Sequence, residues 1–195
     1  MKRLHLLALL AVLCLGFGAL VSCDDDDDDD SGGDDDDDGG GDDDDNATGD
    51  TWTDSSSGLT WQVTPSSDDM DWEEAKAYCD NLSLAGGGWH LPTISELRTL
   101  IRGCDATETG GSCGVTDDCL DYDCQDNSCL SCEHGDGPNN GCYGPSELPD
   151  ECDWYWSSSP AAGLDLDIFA WHVYFGDGFV ATAVVDNDGY VRCVR

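Results

Sequence analysis

Apolar positions fall into three regimes along this chain. Leu4 to Leu20 is an apolar run behind Lys2 and Arg3. From Asp24 to Asp50 apolar positions all but vanish, with Ala47 the exception. From Thr51 onward, regular periods return. Thr51-Trp52-Thr53 and Leu59-Thr60-Trp61-Gln62-Val63 flank Asp54-Ser55-Ser56-Ser57-Gly58. Short β-favouring runs around a turn-rich stretch predict a hairpin. Trp72, Ala75, Cys79 and Leu82 then recur at helical spacing, which predicts a helix over about 71–82. Asp71 is a suitable N-cap, and Glu73 and Glu74 suit a first turn.

A second helix follows Trp89-His90-Leu91-Pro92. Thr93 and Glu96 have the spacing of a capping box. Ile94, Leu97, Leu100 and Ile101 form its apolar stripe, and Gly103 is read as its C′ residue. Residues 104–153 lose the period and carry eight cysteines. This segment reads as a long loop held by disulfides rather than by a core, and as the seat of ligand specificity. Alternation resumes from Ile168 to Phe175, with Trp171, Val173 and Phe175 on one face and His172 and Tyr174 on the other. Turns at Gly176-Asp177-Gly178 and Asp186-Asn187-Asp188-Gly189 predict two successive hairpins, a three-stranded antiparallel meander ending in 190–195. Helices followed by antiparallel strands make an α+β class.

Composition changes the picture first at the N-terminus. The apolar run is too short and wrongly flanked for a stable span. It ends in Leu20-Val21-Ser22-Cys23, which resembles a bacterial lipobox. Residues 1–22 are therefore expected to be a lipoprotein signal peptide, with Cys23 the lipidated first residue and the membrane its partner. The competing reading is an ordinary signal peptide cut after Ser22. Residues 24–50 hold seventeen Asp in blocks separated by Gly and Ser. They cannot bury apolar surface, and like charges extend them, so 23–50 is expected to be a disordered poly-Asp/Gly tether. The expected location is the bacterial cell envelope, at the outer membrane or cell surface. Asp24, directly after the Cys, is equally compatible with inner-membrane retention.

Residues 51–195 hold twenty-six acids against five bases: Lys76, Arg98, Arg102, Arg192 and Arg195. That balance excludes nucleic acid as a partner and disfavours anionic polysaccharides bound through a basic patch. Ten cysteines remain besides Cys14 and Cys23, an even set that reads as five disulfides in an exported domain. Eight of them lie in the loop, at Cys104, Cys113, Cys119, Cys124, Cys129, Cys132, Cys142 and Cys152, with pairing open.

Three blocks carry a family resemblance: 51–62, 72–101 with Trp-His-Leu-Pro-Thr-Ile-x-Glu-Leu, and 155–195 with Tyr-Trp-Ser-Ser-Ser and Val-Arg-Cys-Val-Arg. Together they resemble the Lcl C-terminal domain family of bacterial surface proteins, over nearly all of 51–195. The resemblance implies a C-type-lectin-like fold, distantly related to formylglycine-generating enzymes. It also implies that the first helix is bonded to the last strand, through Cys79 and Cys193. His90 departs from the family, which commonly has Arg there. The cysteine-rich insert 104–153 marks a subgroup.

Other chemistry is weaker. Cys124-x4-Cys129-x2-Cys132 has the plant-type iron–sulfur spacing, and Cys129-x2-Cys132 has half a zinc site. Disulfides in an exported domain would consume both. Asp117, Asp118, Asp121, Asp123 and Asp126 crowd the loop, and calcium is the cofactor such a set would take, although the spacing is not that of an EF-hand. The expected function is a cell-surface binding or adhesion module for a polysaccharide or protein ligand, calcium-assisted if the loop carboxylates converge. It is not expected to be an enzyme. The alternatives are a formylglycine-generating type of enzyme, which needs reactive thiols, and a purely structural envelope protein.

Overall fold

The structure is a computed structural model that describes residues 49–149, 152–164 and 168–195. The expected signal peptide, Cys23 and most of the tether lie outside the described residues. Strands β1 (Thr51–Thr53) and β2 (Thr60–Gln62) pair antiparallel as predicted, with Trp52 opposite Trp61. Helix α1 (Trp72–Asp80) starts where the Asp71 side chain accepts the Glu74 N–H at 2.8 Å. Its buried stripe is Ala75 and Cys79.

Helix α2 (Ile94–Arg98) carries the full capping box. Glu96 also reaches back to His90, whose Nε2 lies 3.0 Å from Glu96 Oε2. The helix is shorter than its apolar stripe predicted. Leu100 and Ile101 are buried but lie beyond it. Gly103 is therefore not its C′ residue. It has φ +80°, which glycine adopts without strain, and a Cβ there would also meet the Pro138 ring at 2.7 Å.

The second sheet runs β3 (Trp154–Pro160), β4 (Phe169–Tyr174), β5 (Phe179–Val184), all antiparallel. This corrects the expected meander. The third strand comes from 154–160, not from 190–195. The C-terminal segment instead crosses to the first hairpin, where Thr60 and Arg195 exchange both backbone hydrogen bonds at 3.0 Å. It also bridges His90 through Val194. The physical reason is burial: Val191, Cys193 and Val194 are all fully buried, which an edge of the β4–β5 hairpin would not achieve.

The loop 104–153 is a second correction. It is held by the core as well as by disulfides. Cys104, Cys113, Val115, Cys129, Tyr143 and Leu148 join the same apolar cluster as Leu97, Leu100 and Trp171. Buried Arg98 binds this loop to α2: its guanidinium donates to the carbonyls of Thr107 at 2.8 Å, Glu108 at 2.9 Å, Cys113 at 3.3 Å and Val115. Trp171 Nε1 donates to Leu120 O at 3.1 Å, and Tyr143 N to Phe175 O at 2.8 Å. The loop is thus the third layer over the inner face of the β3–β5 sheet. No described helix is long and apolar enough to cross a membrane.

Candidate functional site

The β3–β5 sheet has two faces with different fates. Alternation puts Trp171, Val173 and Phe175 on the inner face, all fully buried. The opposite face carries Trp154, Trp156, Ala170, His172, Tyr174, Ala181 and Ala183, in keeping with the strand registers. Helix α1 covers only part of it. Ala75 and Cys79 pack with Trp156 and Ala170. Trp72 Nε1 donates to Ser157 O at 2.7 Å, and Trp156 Nε1 to Met70 O at 3.0 Å.

The uncovered remainder is an open groove of about 420 Å³, lined by Asp153, Trp154, His172, Tyr174, Phe179 and Asn187. Ala181 and Ala183 complete the lining, and their methyl groups leave the space that larger side chains would fill. Trp154 stands edge-on to His172, with centroids 5.0 Å apart at 66°, and edge-on to Trp156 at 4.9 Å. Two glycines make room for these rings. A Cβ on Gly189 would lie 2.6 Å from the Trp154 ring, and one on Gly176 would lie 2.8 Å from that of Tyr174.

The groove's electrostatics are one-sided. Asp153 supplies a carboxylate, and no Lys or Arg lines it. Burial between the rings pushes His172 down to about 4, so the imidazole is neutral at neutral pH. Its Nδ1 is buried and has no protein partner. Burial first, then the charges of Asp177 and Asp153, raise the Tyr174 phenol above its ordinary value. At the rim His134 Nδ1 lies 2.5 Å from Asp177 Oδ1, and its ring stacks near Tyr174 at 6.3 Å.

A second cleft, of about 410 Å³, lies beside Asp54, Ser56, Arg98 and Arg102. Its acid is already committed. Burial would raise Asp54, but hydrogen bonds from Ser56 and Ser57 and the charge of Arg102 outweigh it and hold it low. Both carboxylate oxygens serve the β1–β2 turn, taking Ser56 Oγ at 2.5 Å and Ser57 Oγ at 2.8 Å.

The cysteines are joined as Cys79–Cys193, Cys104–Cys132, Cys113–Cys129, Cys119–Cys124 and Cys142–Cys152. The three cysteines with iron–sulfur spacing go to three different bridges. The loop carboxylates serve local backbone. Asp117 accepts from Ser95 N at 3.2 Å, Asp121 from Asp123 N at 2.9 Å, and Asp126 from Ser128 N at 2.8 Å. Asp118 and Asp123 are exposed. Among the described residues no three of His, Cys, Asp and Glu gather as metal ligands would.

Sequence reasoning put specificity in the loop and overlooked the groove. The signal is present in the second face of 168–175, which carries His172 and Tyr174. What hides it is the outer strand, because 154–160 ends in Ser157-Ser158-Ser159-Pro160 and has no apolar alternation there to mark a strand.

Residues 50–195 match the family model described as the Lcl C-terminal domain. No curated protein and no solved structure matches the chain.

Proposed function

The chain belongs to the Lcl C-terminal domain family, a family of surface-associated domains not known for enzymes, and from that premise we propose that it is a binding module of the bacterial cell envelope, held at the membrane through a lipidated Cys23. Its ligand is a polysaccharide or protein taken in the aromatic groove of the β3–β5 sheet. The C-type-lectin-like assignment is part of the same proposal. It is supported by the bridge from α1 to the C-terminal segment, Cys79–Cys193.

The observation that carries the reading is the half-covered sheet face. Burying Trp154, Tyr174 and Phe179 would be favourable, by roughly 25 cal/mol for each Å² removed from water. Here they stay half-buried around an open groove. Amphipathic rings with a few polar groups between them are the chemistry of a ligand site. An enzyme of the formylglycine-generating type needs a free reactive thiol, and the ten cysteines among the described residues are all bonded.

The test is a glycan and matrix-protein array probed with the full chain in detergent, with and without calcium. Trp154→Ala should abolish whatever binding the wild type shows. Binding unchanged by Trp154→Ala would overturn the groove as the site. Loss of binding on calcium removal would bring the loop carboxylates into the site.

A further inference from the structure

The groove's walls and its charge together narrow the ligand. Trp154, Tyr174 and Phe179 are cross-strand neighbours in one row, since Trp154 faces Tyr174 in the β3–β4 register and Tyr174 faces Phe179 in the β4–β5 register. Such a row offers a π surface, on which a pyranose ring lays its C–H face and a cation sits well. Beside it is a carboxylate, Asp153, whose Oδ1 accepts the backbone N–H of Trp154 at 2.9 Å and is thereby held at the start of β3. The imidazole that completes the wall, His172, is uncharged at neutral pH. Asp177 stands at the rim with Tyr174, and Asp186 and Asp188 flank Asn187 in the adjoining turn. No Lys or Arg lines the groove, and the surrounding domain carries twenty-six acids against five Lys and Arg.

An anionic glycan entering this site would lose its hydration without gaining a counter-charge. A neutral one would stack and leave Asp153 to accept hydroxyls. A glycan with free amines would stack, place an ammonium over the rings and pair it with Asp153. The field of the whole domain would also steer it in.

Resting on the reading of the groove as the binding site, we infer that its ligand is a glycan carrying unacetylated amino sugars. The ammonium is held between Asp153 and the Trp154–Tyr174 wall. Asn187 is placed to hydrogen-bond the ring hydroxyls. N-acetylation removes the charge and sulfation reverses it, so both should weaken binding.

The experiment titrates the full chain, in detergent and at physiological salt, with three probes: a short glucosamine oligomer, its N-acetylated counterpart and a sulfated oligosaccharide of similar length. The Trp154 indole N–H signal reports binding by NMR. That local readout matters because the poly-Asp segment also attracts amines, and it does not contain the indole. The glucosamine oligomer should shift the Trp154 signal and bind tightest. Asp153→Asn should weaken it roughly fivefold, the scale of one partly exposed ion pair, and leave the acetylated probe within about twofold. Phe179→Ala should weaken both without disturbing the Asp153 effect, and it guards against a variant at Trp154 that misfolds. If the acetylated probe binds as well as the amine, or if Asp153→Asn weakens both equally, the amino-sugar inference falls and the groove survives as a neutral-glycan site. If no probe moves the Trp154 signal, the inference falls, and a wild-type array signal then decides whether the groove reading falls with it.

Discussion

At the scale of single residues, two side chains carry much of this domain's character. His172 is a neutral imidazole among rings, with Trp154 and Trp156 edge-on to it and Asp153 lining the same groove. Its folded pKa, about 4, lies below the unfolded value near 6.5. As pH falls, the unfolded chain takes up the proton first. Stability from this group is therefore complete above the unfolded pKa and is lost as pH falls toward the folded one. The loss should reach roughly 3 kcal/mol near pH 4. Urea titrations at pH 7, 5.5 and 4.5 should show it, and His172→Phe should flatten that part of the pH dependence. Equal slopes for the two proteins would refute the assignment. Arg98 plays the opposite role, a buried cation without an acid partner among the described residues. Desolvation lowers its pKa, and four backbone carbonyls of the loop take its protons. Removing the guanidinium orphans those carbonyls. Arg98→Met should cost about 3 kcal/mol or more, because stranded buried acceptors each cost on the order of 1–3 kcal/mol. A chemical-denaturation midpoint within error of wild type would show that the carbonyls find water instead.

Among the elements, the loop 104–153 behaves least as its composition suggests. Read as a string it is polar, cysteine-rich and without period. Folded, it supplies Val115, Tyr143 and Leu148 to the core, and burying side chains of this kind contributes about 1.5–3 kcal/mol each. It also shields Trp171 and Phe175, the inner face of β4. Replacing 105–151 by a short Gly-Ser linker, with Cys104 and Cys152 changed to Ser, should therefore leave no cooperative unfolding transition. Near-ultraviolet circular dichroism should collapse with it. A stable, cooperatively folding product would mean that the layer is dispensable. The helices illustrate the reverse case. Their starts follow local rules, Asp71 and Thr93 both accepting the expected N–H, while their lengths follow tertiary demand. Helix α2 ends after Arg98 so that Arg102 N can reach Tyr143 O at 2.6 Å.

Across the whole molecule the chain closes on itself. Residues 189–195 thread between β2, β3 and the His90 segment, and Cys79–Cys193 fastens that return over 114 positions. Both cysteines are fully buried. A cross-link over a span of that order lowers the unfolded chain's entropy enough to stabilise the fold by about 4–5 kcal/mol on the chain-entropy account. The double variant Cys79→Ala, Cys193→Ala should lose most of that in urea denaturation. A change under about 1 kcal/mol would instead show that packing of Val191 and Val194 alone holds the C-terminal return. The family resemblance pointed to this pairing; spacing alone did not select it from the ten cysteines.

Sequence by itself determined what local physics can write: the first hairpin with its Asp54 turn, both N-caps, the inward face of 168–175 and the strongly acidic balance of the domain. Each of these rests on residues a few positions apart, or on a sum over the chain. Tertiary structure alone decided the rest. It put 154–160 rather than 190–195 beside β4, because pairing partners are chosen by which apolar faces can be buried together. It drew the cysteine-rich loop into the core through Arg98, because a buried guanidinium needs carbonyls, and only the fold brings them within reach. It also left the Trp154–Tyr174–Phe179 row open. Those rings come from three strands separated by turns, and the buried face of α1 packs on Trp156 and Ala170 rather than on them.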